Sequence, residues 1–336
     1  MEYNYNLIDD QEDDSDGAAY ICHISDFSTI NGYVFILFTI ISVIGNTLLI
    51  CVLVTQKVLK FVTKTFILNL ACSDLIFTAT LPFWAYYHLH HWVFGDFLCK
   101  FMTAVYFVGL YSSIFILTGM TVDRFITVVL NKWPNNSLRK RCAVGVCVAA
   151  WVISIAVSPY DASKMQVEND SYCEAYSEAE LGYYLQVSLL FFLPFVVIIF
   201  CYLSIIRTVF QATNRQRRKA VGIVFCIVAA YFICWGPYNF LLFIKSLYQP
   251  SGCKAAQQLE TAYNICRILA FSHCCVNPLL CILLQRIRRH LLSLLKGVTG
   301  GLKRREVVTD ENTIDIQTVP RRIAPNSAVM VNMNNH

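Results

Sequence analysis

Residues 96–130 read DFLCKFMTAVYFVGLYSSIFILTGMTVDRFITVVL, an apolar run with charges only near its ends. As a helix, the part from Cys99 to Arg124 extends roughly 38 Å at about 1.5 Å per residue, more than the ~30 Å hydrocarbon core of a bilayer. Cys99 and Arg124 are therefore expected on opposite sides of a membrane. A cysteine at the outer end can be oxidised into a staple, whereas the Asp123-Arg124 pair at the inner end sits where an unpaired charge is costly.

The same reading finds seven apolar runs: Tyr33–Lys57, Phe66–Leu89, Phe97–Leu130, Cys142–Tyr160, Leu181–Phe210, Val221–Ile244 and Ala262–Leu284. The composition agrees, because 56% hydrophobic and 15% charged residues are too apolar and too weakly charged for a soluble chain of 336 residues. Cytoplasmic loops retain Lys and Arg. The first, third and fifth connections carry Lys57, Lys60, Lys64; Lys132, Arg139, Lys140, Arg141; and Arg215, Arg217, Arg218, Lys219. The second, fourth and sixth hold Lys164, Lys245 and Lys254 outside the helix ends, alongside acids. The expected fold is an all-α membrane protein, a seven-transmembrane helix bundle over residues 33–284 with the N-terminus extracellular and the C-terminus inside.

Residues 1–32 hold eight acids, from Glu2 to Asp26, and neither Lys nor Arg. Such a segment cannot bury a core and is expected to be a disordered extracellular tail, either solubilising or an electrostatic bait for a basic partner. Tyr3, Tyr5 and Tyr20 lie in it as candidate sulfation sites. It has no basic n-region or apolar core, so no signal peptide is expected and the first span inserts as its own anchor. Of fifteen cysteines, eleven fall inside apolar spans as small buried hydrophobes. Cys22, Cys99, Cys173 and Cys253 all fall on the outer face, which implies two disulfides. Asn169-Asp170-Ser171 is an external glycosylation acceptor.

Polar residues inside the spans mark function by default. Asp74 in the second, with Asn46, Ser113 and Asn277, is expected to form a polar cluster, bonded to itself or holding a small cation with waters. Arg267 in the seventh calls for a water-filled cavity and an anionic partner, with snorkelling to the outer interface as the alternative. Pro237 opens a hinge beside Trp235, while Pro82, Pro194 and Pro278 interrupt three other spans. His88, His90 and His91 invite a metal reading, yet no acidic or cysteine ligands are spaced with them. QRIRRHLLSLLKG within 285–298 has the spacing of an amphipathic helix lying on the inner leaflet, and 299–336 reads as a disordered cytoplasmic tail with candidate phosphosites.

Gly45-Asn46, LACSD at Leu70 to Asp74, DRF at Asp123 to Phe125, Trp151, Pro194, CWGP at Cys234 to Pro237 and Asn277-Pro278 occur in the order of a rhodopsin-like G protein-coupled receptor, which the chain resembles over nearly its whole length. TLPFW at Thr80 to Trp84, HCCVNPLL at His273 to Leu280, the four outer cysteines and the acidic tail resemble a chemokine receptor. WVFGDFLCK, LYSSIFILT, YFICWGPYNF and CKAAQQLETAYNICRILAFSHCC are similar to the lymphotactin (XC-chemokine) branch.

The resemblance implies disulfides Cys99–Cys173 and Cys22–Cys253. It implies a basic, lymphotactin-like chemokine held by the tail, Tyr3 and Tyr5 included, with its N-terminus in a pocket lined by Trp84, Tyr106, Tyr238 and Arg267. Asp74, Ser113 and Asn277 would form an allosteric sodium site, the one cofactor expected. Trp235, with Pro237, would sense ligand. Asp123, Arg124, Tyr202 and Asn277-Pro278 would carry the switch to a heterotrimeric G protein, with arrestin and a receptor kinase as further partners. The family's tyrosine after Asp-Arg is Phe125 here, and that of NPxxY is Cys281, which denies Tyr202 its usual water-bridged contact. The expected function is calcium signalling and chemotaxis at the plasma membrane through an inhibitory-class G protein; a CC-type receptor and a scavenger that internalises chemokine are the alternatives. No internal repeat supports a transporter, and no nucleophile, base or metal constellation supports an enzyme.

Overall fold

The computed structural model describes residues 28–55, 59–130, 132, 135–168, 171–175, 180–211, 215–247 and 253–283, with no side chains described for 175, 180–190, 209–211, 215–224, 246 and 281–283. Its helices are α1 (Ser28–Thr55), α2 (Phe61–Leu89), α3 (Gly95–Phe125, continued by a π turn to Leu130), α4 (Asn136–Ala162), α5 (Glu180–Gln211), α6 (Arg215–Leu247), α7 (Cys253–Phe271) and α8 (His273–Leu283). In lipid every backbone N–H and C=O must be satisfied within its own segment, which is why these apolar runs are helices. α1 to α6 each contain a stretch long and apolar enough to cross a membrane. The seventh crossing consists of α7 and α8, separated at Ser272, whose hydroxyl donates to the Leu269 carbonyl at 2.6 Å.

Most helices run past the apolar cores read from sequence. α1 starts at Ser28, α2 at Phe61 and α4 at Asn136, because a helix continues through polar residues at the membrane surface, where hydropathy falls but hydrogen bonding does not. The α4 start has a cap: the Asn135 side chain accepts from Leu138 N at 2.6 Å. α2 and α3 form the axis of the bundle, with 56% of their apolar stretches buried against 28% for α1 and α4. Ile36, Leu37, Ile40 and Ile44 of α1, and Val144, Val148, Val152 and Ile155 of α4, face outward. That is the side lipid covers.

Close packing at the axis depends on Gly109. A Cβ there would lie 2.8 Å from Phe77 N and 2.9 Å from its Cα, so α3 can approach α2 this closely only with glycine. Polar pins reinforce the contact: Ser73 and Ser112 hydroxyls are 2.6 Å apart, and Trp151 Nε1 donates to Asn69 Oδ1 at 3.0 Å between α4 and α2. Another pin repairs a proline. Pro278 has no N–H for the carbonyl of Cys274 one turn back, and Asn46 Nδ2 from α1 donates to that oxygen instead, at 2.9 Å. Gly45 lets α1 close on the same ring, since a Cβ there would meet Pro278 Cγ at 2.9 Å.

Outside the bundle, the fourth connection is not a plain loop but a hairpin: β1 (Met165–Glu168) pairs antiparallel with β2 (Tyr172–Ala175), Val167 opposite Cys173. The Cys99–Cys173 disulfide ties it to α3, with Cα atoms 5.8 Å apart. Asp96 Oδ1 accepts from Val167 N at 3.2 Å, and Trp92 N donates to Ser171 O at 2.8 Å.

Candidate functional site

Three groups of side chains lie along the bundle axis. In the outer group, Arg267 of α7 donates through Nη2 to His88 Nε2 and to Asn264 Oδ1, both at 3.1 Å. Ser28 Oγ donates to the His88 carbonyl at 2.7 Å, so toward His88 Nδ1, 3.1 Å away, it is the acceptor. That arrangement leaves Nε2 as the acceptor the guanidinium needs. Phe35 and Tyr263 flank the cation, with ring centroids 5.9 and 5.7 Å away. Arg267 Nε has no hydrogen-bond partner, and among the described residues no carboxylate lies within ion-pair distance of this guanidinium. The nearby acid is already engaged: Glu260 pairs with Lys245 at 3.2 Å and accepts from Asn264 Nδ2 at 3.0 Å.

Tyr238 joins this group through its hydroxyl, 3.2 Å from that of Tyr263. Tyr106 lies deeper, against Phe77 and Phe271 at 5.3 and 5.7 Å. Trp84 sits to one side, with Tyr87 and Trp92 beside the outer disulfide. Cys253 at the start of α7 is disulfide-bonded. Cys22, Tyr3, Tyr5 and the Asn169 acceptor lie outside the described residues, as do the 285–298 segment and the side chain of Cys281. The three neighbouring histidines do not converge on a metal. His88 points inward to Arg267, His90 packs on Tyr86 at 4.9 Å, and among the described residues no three His, Cys, Asp or Glu side chains are grouped to hold one.

The middle group surrounds Trp235, which is fully buried against His273 (5.1 Å), Tyr238 (5.8 Å), Tyr231 and Phe271 (both 6.2 Å) and Phe77 (6.3 Å). Below it, Asn277 Nδ2 donates to Asp74 Oδ2 at 2.9 Å. Asp74 Oδ1 has no hydrogen-bond partner, and His273 Nε2 lies 3.6 Å from it. His273 Nδ1 is 2.9 Å from the Ala270 carbonyl, which requires a proton on Nδ1; in a neutral ring Nε2 is then an acceptor facing an acceptor. Ser113 faces the same carboxylate without reaching hydrogen-bond geometry, and Ser113 Oγ, Asn277 Oδ1 and Asn46 Oδ1 are buried without partners. Buried oxygens without protein partners suit a small hard cation or water.

At the inner end, Asp123 and Arg124 do not form the close pair their adjacency in sequence suggested. Arg139, from the first turn of α4, takes both Asp123 oxygens, Nε to Oδ1 and Nη2 to Oδ2 at 2.7 Å each. Arg124 Nη1 stands 3.9 Å from the carboxylate, while its Nη2 donates to Thr63 Oγ1 of α2. The Tyr202 hydroxyl has no partner, and its ring packs on Phe225 at 5.5 Å. Phe125 packs its ring 5.9 Å from that of Phe200 of α5. Pro237 and Pro278 lie within α6 and α8.

Sequence reasoning missed the roles of His88, Asn264, His273 and Arg139. Each acts through a partner on another element or a helix-turn away, which charge counts and hydropathy do not register.

The chain matches the 7 transmembrane receptor (rhodopsin family) over residues 45–280. It is 44% identical to chemokine XC receptor 1 of Homo sapiens over 268 residues, 76% of this chain and 78% of that one. Similarity extends to C-C chemokine receptor type 8 of Homo sapiens, 34% identical over 270 residues with 75% of each chain covered. It extends also to CX3C chemokine receptor 1 of Homo sapiens, 33% identical over 318 residues, 91% of this chain and 89% of that one.

Proposed function

Because this chain belongs to the rhodopsin family of seven-transmembrane receptors and, within it, to the chemokine receptors, we propose that it is an XC-type receptor that takes a lymphotactin-like chemokine from outside the cell and drives nucleotide exchange on an inhibitory-class G protein within. In this reading the N-terminus is extracellular at the plasma membrane, and the acidic tail of residues 1–32 attracts the basic body of the ligand. The output is calcium signalling and chemotaxis, ended by a receptor kinase and arrestin acting on the cytoplasmic tail.

The observation that carries the XC assignment is Arg267, a cation near the outer end of the bundle whose partners are neutral and whose Nε is unused. A half-buried charge in that state favours a ligand that brings an anionic group into the pocket. Replacing Arg267 with Glu is expected to abolish activation by lymphotactin in a calcium-flux assay while surface expression stays normal. Unchanged potency would remove Arg267 from the pocket and the XC assignment with it. The scavenger reading draws on Cys281 in place of the family's tyrosine. Its signature is chemokine uptake without a calcium or cAMP response, and the retained Asp123-Arg124 pair speaks against it.

Asp74, Ser113 and Asn277 would hold a sodium ion, each presenting a buried oxygen without a partner. When bound, the ion supplies the positive charge that the Asp74 carboxylate lacks. Asn277 of α8 bonds Asp74 of α2 directly, and a bound ion would draw Ser113 of α3 into the same arrangement. Trp235 and His273, in ring contact just above, link that arrangement to the ligand pocket.

A further inference from the structure

Asp123 has one carboxylate and two arginines within reach. The Arg139 fork meets it with two short, parallel, charge-assisted bonds, the strongest geometry a guanidinium offers. Arg124, though adjacent in sequence, is left at 3.9 Å, with the hydroxyl of Thr63 as its hydrogen-bond partner and its own Nε unpartnered. Local structure fixes this outcome. The Asn135 cap starts α4, and Arg139 N bonds back to Asn135 O at 3.3 Å, so Arg139 stands on the first turn of α4. Asp123, 6% exposed near the end of α3, depends on its protein partners for compensation.

From this competition we infer that Arg139 is a positioning residue of the coupling switch: by occupying both oxygens of Asp123 it keeps Arg124 available to the G protein. The inference rests on the receptor reading above. Without Arg139, the nearest cation to Asp123 is Arg124, a small side-chain rotation away. A close Asp123–Arg124 pair would then hold Arg124 against its own helix. Arg139 therefore acts opposite to a brake, although it touches neither ligand nor nucleotide.

The test uses full-length receptor in membranes with an inhibitory-class G protein. Agonist-driven GTPγS exchange and chemokine binding are read side by side, with surface expression as the check on folding. Arg139→Gln is expected to lower exchange about tenfold while chemokine affinity measured with excess GTP stays within twofold. Arg139→Lys, which keeps the charge but loses the fork, should fall between, and Lys140→Gln should match the parent chain. The decisive variant is the double change Asp123→Asn with Arg139→Gln. With no carboxylate to capture Arg124, exchange should recover to at least the parent level. If Arg139→Gln exchanges normally, or if the double variant is as impaired as the single one, Arg139 merely braces the α3–α4 corner and the inference is overturned. A parent chain that binds and internalises chemokine without any exchange overturns the receptor reading itself, and the inference with it.

Discussion

Asp74 is the residue whose surroundings constrain its chemistry most tightly: fully buried, bonded to Asn277 through one oxygen and faced by His273 across 3.6 Å at the other. An ionised carboxylate in that place needs positive charge or bound donors, which the sodium proposal supplies. Exchanging sodium chloride for a bulky-cation salt at constant ionic strength should strengthen chemokine binding severalfold in the parent chain, since the ion favours the packed state. Asp74→Asn should bind equally in both salts, and a sodium dependence that survives in this variant would exclude Asp74 as the ligand. Asp74 and Arg267 were legible from sequence alone, because a charge inside an apolar run has few harmless explanations. Their neighbours were not. His88 lies 179 residues from Arg267 in sequence and reads there as one of three neighbouring histidines, and Arg139 counts only as one positive charge among several.

Among the elements, the contact between α2 and α3 permits the sharpest prediction. Gly109→Ala puts a methyl group 2.8 Å from the Phe77 backbone, and backbone cannot swing aside as a side chain can. Thermal denaturation in detergent should show a loss of about 1–3 kcal/mol, whereas Gly145→Ala on α4, with nothing within 4 Å of the added atom, should gain up to about 1 kcal/mol from the better helix former. Equal melting of the two variants would mean the helices are less closely packed than described. The apolar cores of the helices were readable from composition because lipid leaves no alternative to a hydrogen-bonded helix. The division at Ser272 was not, since proline at 278 drew attention to a kink six residues further on. In the structure α8 runs through Pro278, its stranded carbonyl satisfied by Asn46.

For the whole molecule, the distribution of charge makes the strongest claim. Basic residues gather on the connections assigned to the cytoplasm and acids on those assigned to the outside. A tag on residue 1 should therefore be stained on intact cells, and one on residue 336 only after permeabilisation; the reverse pattern would invert every assignment of ligand and G protein made above. Within that frame the bond from Asn46 to the carbonyl stranded by Pro278, with Gly45 seated on the proline ring, has a mechanical result. It welds the first crossing to the inner half of the seventh, making the two a stator. Signalling motion is then expected of α6, where among the described residues no side chain from another helix bonds the carbonyl that Pro237 strands, so that α6 would be the lever.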